Sequence, residues 1–425
     1  MSETRAGAIR SLREAVRHAH FLTPGLADAA LSSLAGFAVS LYAVRSLDGP
    51  ALGTYSLYLA AYVVGSMFAQ HLLYLPSQIA ALKAEPAARP AILGPTLWRG
   101  ALLSSVVAPF VGIAGLLLSG DVSSSTLVAL GAGAALLTVV TPMQDQVRST
   151  LYLAGEHSRA ALVSAMQLLF TCVALAALYL AGAADAWVPF GALAIGAGGS
   201  GAFGLMITAL PPGGAFDVPP ARSLMRTGMT LLPAALIQEA TIFIAAATLA
   251  SVASAAALGS AEAARIVARP VQAFSLGISR SLAPRLMEAG EARSRSRARR
   301  VVSLYVAAIA GAGLVYLAVA GWPYSLSPFV EVVPAAYAKE GLVALVLVAT
   351  LAGAITQVPR GVLLGAGMGQ ELLVITVLAS LCRIAAVALL AASMGAYALP
   401  VAHLLSLALG GALGLRAAGR LLDRP

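Results

Sequence analysis

Runs of about 20 consecutive apolar residues recur along the whole chain, and no other feature restricts its folding so strongly. A helix of that length, rising about 1.5 Å per residue, covers a hydrocarbon core of about 30 Å. The runs lie near 26–46, 53–75, 99–119, 124–142, 160–182, 186–209, 227–250, 256–283, 301–321, 341–358, 371–393 and 396–415. With 59% apolar and 11% charged residues, a chain of 425 residues has too little polar surface for a water-soluble domain. The alternation that marks an outer-membrane barrel is absent. The chain therefore reads as an all-α integral membrane protein with twelve transmembrane helices.

The net charge of +9 must be located before it is interpreted. Most of the 27 Lys and Arg fall on one side of these spans: in residues 1–25, in 83–99, 143–159, 210–226, 284–300 and 359–370, and in the tail. Arg45 and Lys339 fall on the other side, and Arg265, Arg269, Arg280 and Arg383 fall within spans. Under the positive-inside rule both termini are cytoplasmic, and the basic charge is a topology signal that calls for no nucleic acid. The cluster Arg293, Arg295, Arg297, Arg299 and Arg300 reads as a topogenic loop. The start of the chain, MSETRAGAIRSLREAVRHAH, is basic and amphipathic and lacks the apolar core of a signal peptide. Cys172 and Cys382, the only cysteines, lie in apolar runs and imply no disulfide framework.

Two motif pairs relate the halves of the chain. ALGTYSLYLAAYVVGSMFAQHLLYLP (51–76) matches ALGSAEAARIVARPVQAFSLGISRSLAP (257–284), each opening with Ala-Leu-Gly and closing at a proline. Arg148 to Gly155 and Arg360 to Gly367 share R-x-x-L-x-x-A-G. Similar offsets and an even number of spans per repeat predict a parallel repeat about an axis along the membrane normal. The organisation is then a cytoplasmic N-terminal segment (1–25), a first lobe of six spans (26–210), a cytoplasmic linker (211–226), a second lobe (227–415) and a cytoplasmic tail (416–425). Gly- and Ala-rich stretches such as 191–204 read as close helix packing.

ADAALSSLAGFAVSLYAVRSLDGPALGTYSLY (27–58) resembles the opening of polysaccharide-biosynthesis flippases. Arg45, the turn through Pro50, and Gly53-Thr54-Tyr55 hold that family's places, with Asp48 where glycine is commoner. QDQVRSTLYLAGEHSRAAL (144–162) is similar to the family's turn after the fourth span, and AARIVARPVQAFSLGISRSLAPRL (263–286) to its eighth. The wider group is the multidrug/oligosaccharidyl-lipid/polysaccharide (MOP) exporter superfamily. Its resemblance implies two six-helix lobes in a V around a central cavity, as in MATE transporters. It also implies a bacterial inner-membrane setting, a lipid-linked oligosaccharide as substrate, and glycosyltransferases and a polymerase as partners.

Charges inside a span are costly, so they are candidates for function. On a helical wheel Glu262, Arg265, Arg269, Gln272 and Arg280 share one face of the eighth span, which should line a wet cavity. Depth arithmetic puts Arg269 level with Glu239 on the seventh span, so that the two could pair, and Pro270 predicts a bend beside Arg269. In one reading Glu239, Glu262 and the arginines neutralise one another and hold these spans in register. In the other, Arg265 and Arg269 present guanidinium forks to a pyrophosphate, with Gln272, Arg280 and Arg383 along the same cavity. Glu239, Glu262 or Asp28 would then serve as counter-ion or as the site of a coupling Na+ or H+.

No P-loop, dinucleotide fingerprint, metal-spaced His/Cys set or nucleophile elbow occurs, so the sequence points to no enzyme, metal or organic cofactor. The expectation is a flippase for a polyprenyl-pyrophosphate-linked oligosaccharide. The alternatives are a multidrug cation antiporter, a peptidoglycan-precursor flippase, or a membrane scaffold for glycan assembly.

Overall fold

The structure, a computed structural model, describes residues 27–85, 89–114, 122–208, 221–320, 333–334, 337, 339 and 341–422, with the side chains of 83, 273 and 276–285 left aside. The N-terminal segment 1–25, most of the linker 211–226 and the end of the tail lie outside the described residues, as does the side chain of Arg280. Every element described is helical: α1 Ala27–Ser46, α2 Gly49–Ala69, α3 Leu75–Lys83, α4 Arg89–Ala114, α5 Ser124–Leu153, α6 His157–Leu180 and α7 Val188–Thr208. There follow α8 Ala221–Val252, α9 Ala255–Glu291, α10 Arg295–Ala320, α11 Leu342–Gly365, α12 Gly369–Met394 and α13 Ala398–Leu422. Among the described residues, ten stretches are long and apolar enough to cross a membrane. The charged helix α9 is not among them, and Gly369–Leu422 qualifies as a single stretch, although a 3-10 turn at Gly395–Tyr397 divides it into α12 and α13.

Several helices run well past the apolar spans. α8 begins inside the segment read as a linker, α13 continues into the segment read as a tail, and α5 extends to Leu153 through Pro142. Prolines 95, 109, 233 and 359 also lie within helices. Each costs one backbone hydrogen bond, and packed neighbours inside a membrane protein can absorb that loss. At Pro76 the accommodation is local. The chain widens into a π-turn at Gln70–Tyr74 before α3 resumes, so the proline falls in a first turn, where no donor is needed.

The sequence repeat has a physical meaning at both of its motifs. α2 and α9 start from equivalent N-caps: Asp48 accepts from the Ala51 amide at 2.9 Å and Ser254 from the Ala257 amide at 3.0 Å. The two Ala-Leu-Gly segments then pack on each other reciprocally. A Cβ on Gly53 would collide with the Ala255 carbonyl, and a Cβ on Gly259 with the Gly49 carbonyl. At the second motif, Gly155 (φ +77°) and Gly367 (φ +74°) take the left-handed conformation that closes α5 and α11. The Glu156 amide donates to the Leu151 carbonyl and the Met368 amide to the Leu363 carbonyl, completing the same C-terminal cap twice.

Helix packing follows the repeat. α4 on α5, α6 on α7, α5 on α7 and α2 on α5 are matched by α10 on α11, α12 on α13, α11 on α13 and α9 on α11. The halves meet where α2 packs against α8 and α9. Tyr55, Tyr58 and Phe190 fill the core of the first half, the rings of Tyr55 and Phe190 4.9 Å apart. Leu102, Phe110, Leu180 and Leu389 are turned outward, the inverse of a soluble surface and the arrangement a bilayer stabilises. The molecule is a multi-pass membrane protein.

Candidate functional site

The charges of α9 form a chain along its first turns. Glu262 is buried and lies 3.0 Å from Arg265 and 3.5 Å from Arg269, one and two turns further on. The Ser56 hydroxyl of α2 donates to the same carboxylate at 3.2 Å. Arg269 also donates to the Gly36 carbonyl of α1 at 2.8 Å, and the missing side chain of Gly36 leaves room for the guanidinium. The side chain of Arg269 is 20% exposed and that of Arg265 42%. Arg269 is thus tied into the packing of α1 and α9, whereas Arg265 keeps a free face. α9 continues as a helix through Pro270, which leaves the Ile266 carbonyl without its helical donor, and the neighbouring Val267 carbonyl accepts from Tyr316 of α10 at 2.7 Å. Gln272 is exposed.

A second group of charges lies between α8, α9, α11 and α12. Glu239 is half-buried and makes no ion pair among the described residues; the charges acting on it are Arg383, Arg265 and Arg360. The depth match of Arg269 with Glu239 does not produce a pair, because Arg269 turns to Glu262 and Gly36. Arg360 donates to the Gln238 side chain at 2.8 Å. Arg383 has a buried Nε with no hydrogen-bond partner, and the His403 ring of α13, in electrostatic range of it, has a buried Nδ1 in the same state. Three guanidinium groups thus act electrostatically on one carboxylate, and the Arg383 Nε is left without a hydrogen-bond partner.

Asp28 is fully buried. Arg148 lies 2.5 Å away, and Tyr152 and Ser164 donate to the same carboxylate at 2.5 Å each. Arg148 and Arg360, which open the repeated R-x-x-L-x-x-A-G motif, thus reach equivalent helices: α1 through Asp28 and α8 through Gln238. Reading the motif only as a repeat marker missed these arginines, although an arginine in both copies at a helix end was the available signal. His403 carried no such signal. Among the described residues no cluster of three or more His, Cys, Asp or Glu could hold a metal ion.

No protein-family model matches the sequence, and no curated protein does. The solved structures do. An inward-facing multidrug resistance MATE family transporter of the MOP superfamily superposes with a TM-score of 0.69 at 14% identity, over 92% of this chain and 94% of that one. The chain shares the fold of MOP superfamily transporters. The lipid II flippase MurJ, in an inward closed conformation, gives a TM-score of 0.65 at 10% identity over 91% of this chain and 86% of its own. A MOP superfamily transporter from Pyrococcus furiosus Vc1, whose binding pocket is described as having reverse polarity that suggests a different function, gives 0.59 at 12% identity over 96% of each chain.

Within that MOP fold the two halves carry different charge. At the offset of the first motif pair, Arg265 and Arg269 of α9 correspond to Leu59 and Val63 of α2, and Glu262 corresponds to Ser56. At the second, Arg148 bonds the carboxylate of Asp28, whereas Arg360 bonds the neutral side chain of Gln238. The repeat folds with apolar residues at these places in its first copy. The arginines are thus a feature of the second copy alone.

Proposed function

We propose that the protein is a flippase that moves an anionic lipid-linked oligosaccharide across a bacterial inner membrane by alternating access, twelve spans being reached by counting α9 and separating α12 from α13. The observation that carries this reading is the surplus of arginine inside the second half: Arg265, Arg269, Arg360 and Arg383 against Glu239 and Glu262. A cation held among apolar helices is costly unless it is paired. The free face of Arg265 and the unpartnered Nε of Arg383 are suited to phosphate oxygens, which accept paired N–H bonds from guanidinium. Glu239 would act as counter-ion in the empty state, or as the site of a coupling H+ or Na+, and be relieved when substrate arrives.

MATE transporters among the structural neighbours support a second reading, a multidrug antiporter. An organic cation would meet the same arginines at a repulsive distance, and this disfavours it. Reconstituted vesicles decide between the two. Flipping of a fluorescent polyprenyl-pyrophosphoryl saccharide should be at least about tenfold slower with Arg265→Ala plus Arg383→Ala, about 1.4 kcal/mol of barrier. Unchanged flipping in that variant, or proton-driven ethidium export by the unaltered protein, would overturn the proposal.

A further inference from the structure

A groove of about 560 Å³ lies between the first turns of α12 and the last turns of α13, away from the arginine cluster. Arg416 and Arg420, one turn apart on α13, line its mouth together with Gln370 and Glu371 of α12. Both arginines are exposed, and neither makes an ion pair or a hydrogen bond among the described residues, not even with Glu371. Inside the mouth the walls turn apolar: Val374 and Leu378 follow one and two turns into α12, and Leu413 lies on α13 about 10 Å along the axis from Arg420. This face looks out of the molecule, since Val374 is 57% and Leu378 43% exposed.

A guanidinium pair at the mouth and hydrocarbon along the depth match one kind of molecule, a lipid whose phosphate sits at the end of the span and whose acyl chain runs beside Val374 and Leu378. The volume falls in the range of small-molecule sites. The position of Arg420 at a helix C-terminus is favoured by the helix dipole, but that effect alone requires no groove and no second arginine. We propose that the groove is a site for an anionic phospholipid of the membrane in which the protein resides, independent of the transported molecule.

The test is native mass spectrometry of the full chain released from nanodiscs of phosphatidylglycerol and phosphatidylcholine with identical acyl chains. The unaltered protein should retain phosphatidylglycerol selectively, and Arg416→Gln plus Arg420→Gln should weaken that retention about thirtyfold, two arginines at a lipid surface contributing about 1 kcal/mol each. Arg297→Gln plus Arg299→Gln, at the basic start of α10, should leave retention unchanged. Should the first variant fail to fold, Val374→Trp plus Leu378→Trp, which fills the apolar part and keeps the charge, should lose the lipid as well. Unchanged retention in the groove variants, equal loss in the α10 variant, or displacement of the lipid by millimolar inorganic phosphate would each overturn the proposal.

Discussion

Glu262 is held from three sides, by Arg265, Arg269 and Ser56, with nowhere to shed its charge to water. Glu262→Gln should therefore free both arginines, which are partly exposed, and destabilise the protein by about 1–3 kcal/mol through the lost charged hydrogen bonds; thermal unfolding in detergent measures it. Asp28→Asn should do the same to Arg148, with a smaller loss in Ser164→Ala, which removes one hydrogen bond of three. The glycines at the caps are equally specific. Gly155→Ala and Gly367→Ala each place a Cβ in the left-handed region and should cost about 1–2 kcal/mol, whereas Gly198→Ala, with open space around it, should be neutral or slightly stabilising. Arg293 adopts the same conformation (φ 46°) where α9 ends, so Arg293→Gly should raise the melting temperature.

At the scale of the element, α9 and α2 are one design used twice, and only α9 is charged. Exchanging Glu262→Ser, Arg265→Leu and Arg269→Val together, which copies Ser56, Leu59 and Val63 and leaves no buried charge unpaired, should leave a folded, extractable protein that no longer flips its substrate. A variant lost to aggregation would mean that the arginines serve the fold. That Glu262, Arg265 and Arg269 share one face of α9 was legible from helical spacing. Their partners were not. Depth along the membrane fixes the level of Glu239 but not the rotation of α8, and that rotation gives Glu239 to Arg383, Arg265 and Arg360. The helix ends were misjudged for a related reason. Pro76, Pro142 and Pro359 and the charges beyond them look like terminators, yet the helices continue into the region where water can solvate those charges. Arg148 and Arg360 were consequently assigned to loops, when they are helical residues that bond the buried Asp28 and the half-buried Gln238.

For the whole molecule, the reciprocal contact of Gly49 and Gly53 with Ala255 and Gly259 closes the end at which α2 and α9 begin, and the Tyr337 hydroxyl braces it by donating to the Leu47 carbonyl at 3.0 Å. Gly228 of α8 packs against the backbone of the π-turn near the other end of α2, so opening there has its own point of contact. A Cβ on Gly49 would sit 3.2 Å from that of Ala256, close to disulfide spacing. Gly49→Cys with Ala256→Cys, in a chain whose Cys172 and Cys382 are replaced by serine, should form a bond that stops transport and is reversed by reductant. Transport that continues through the oxidised form would place the moving contact elsewhere.

The pairing of Ser56 with Glu262 joins two positions that the repeat makes equivalent, so the pseudo-symmetry axis passes between them. In an ancestor made of two identical copies the same residue would have stood on both sides of that axis, and a carboxylate there would have faced its own duplicate. In this chain the carboxylate of Glu262 meets a hydroxyl across the axis, so the asymmetry of the two copies is what lets it bond there without a facing like charge.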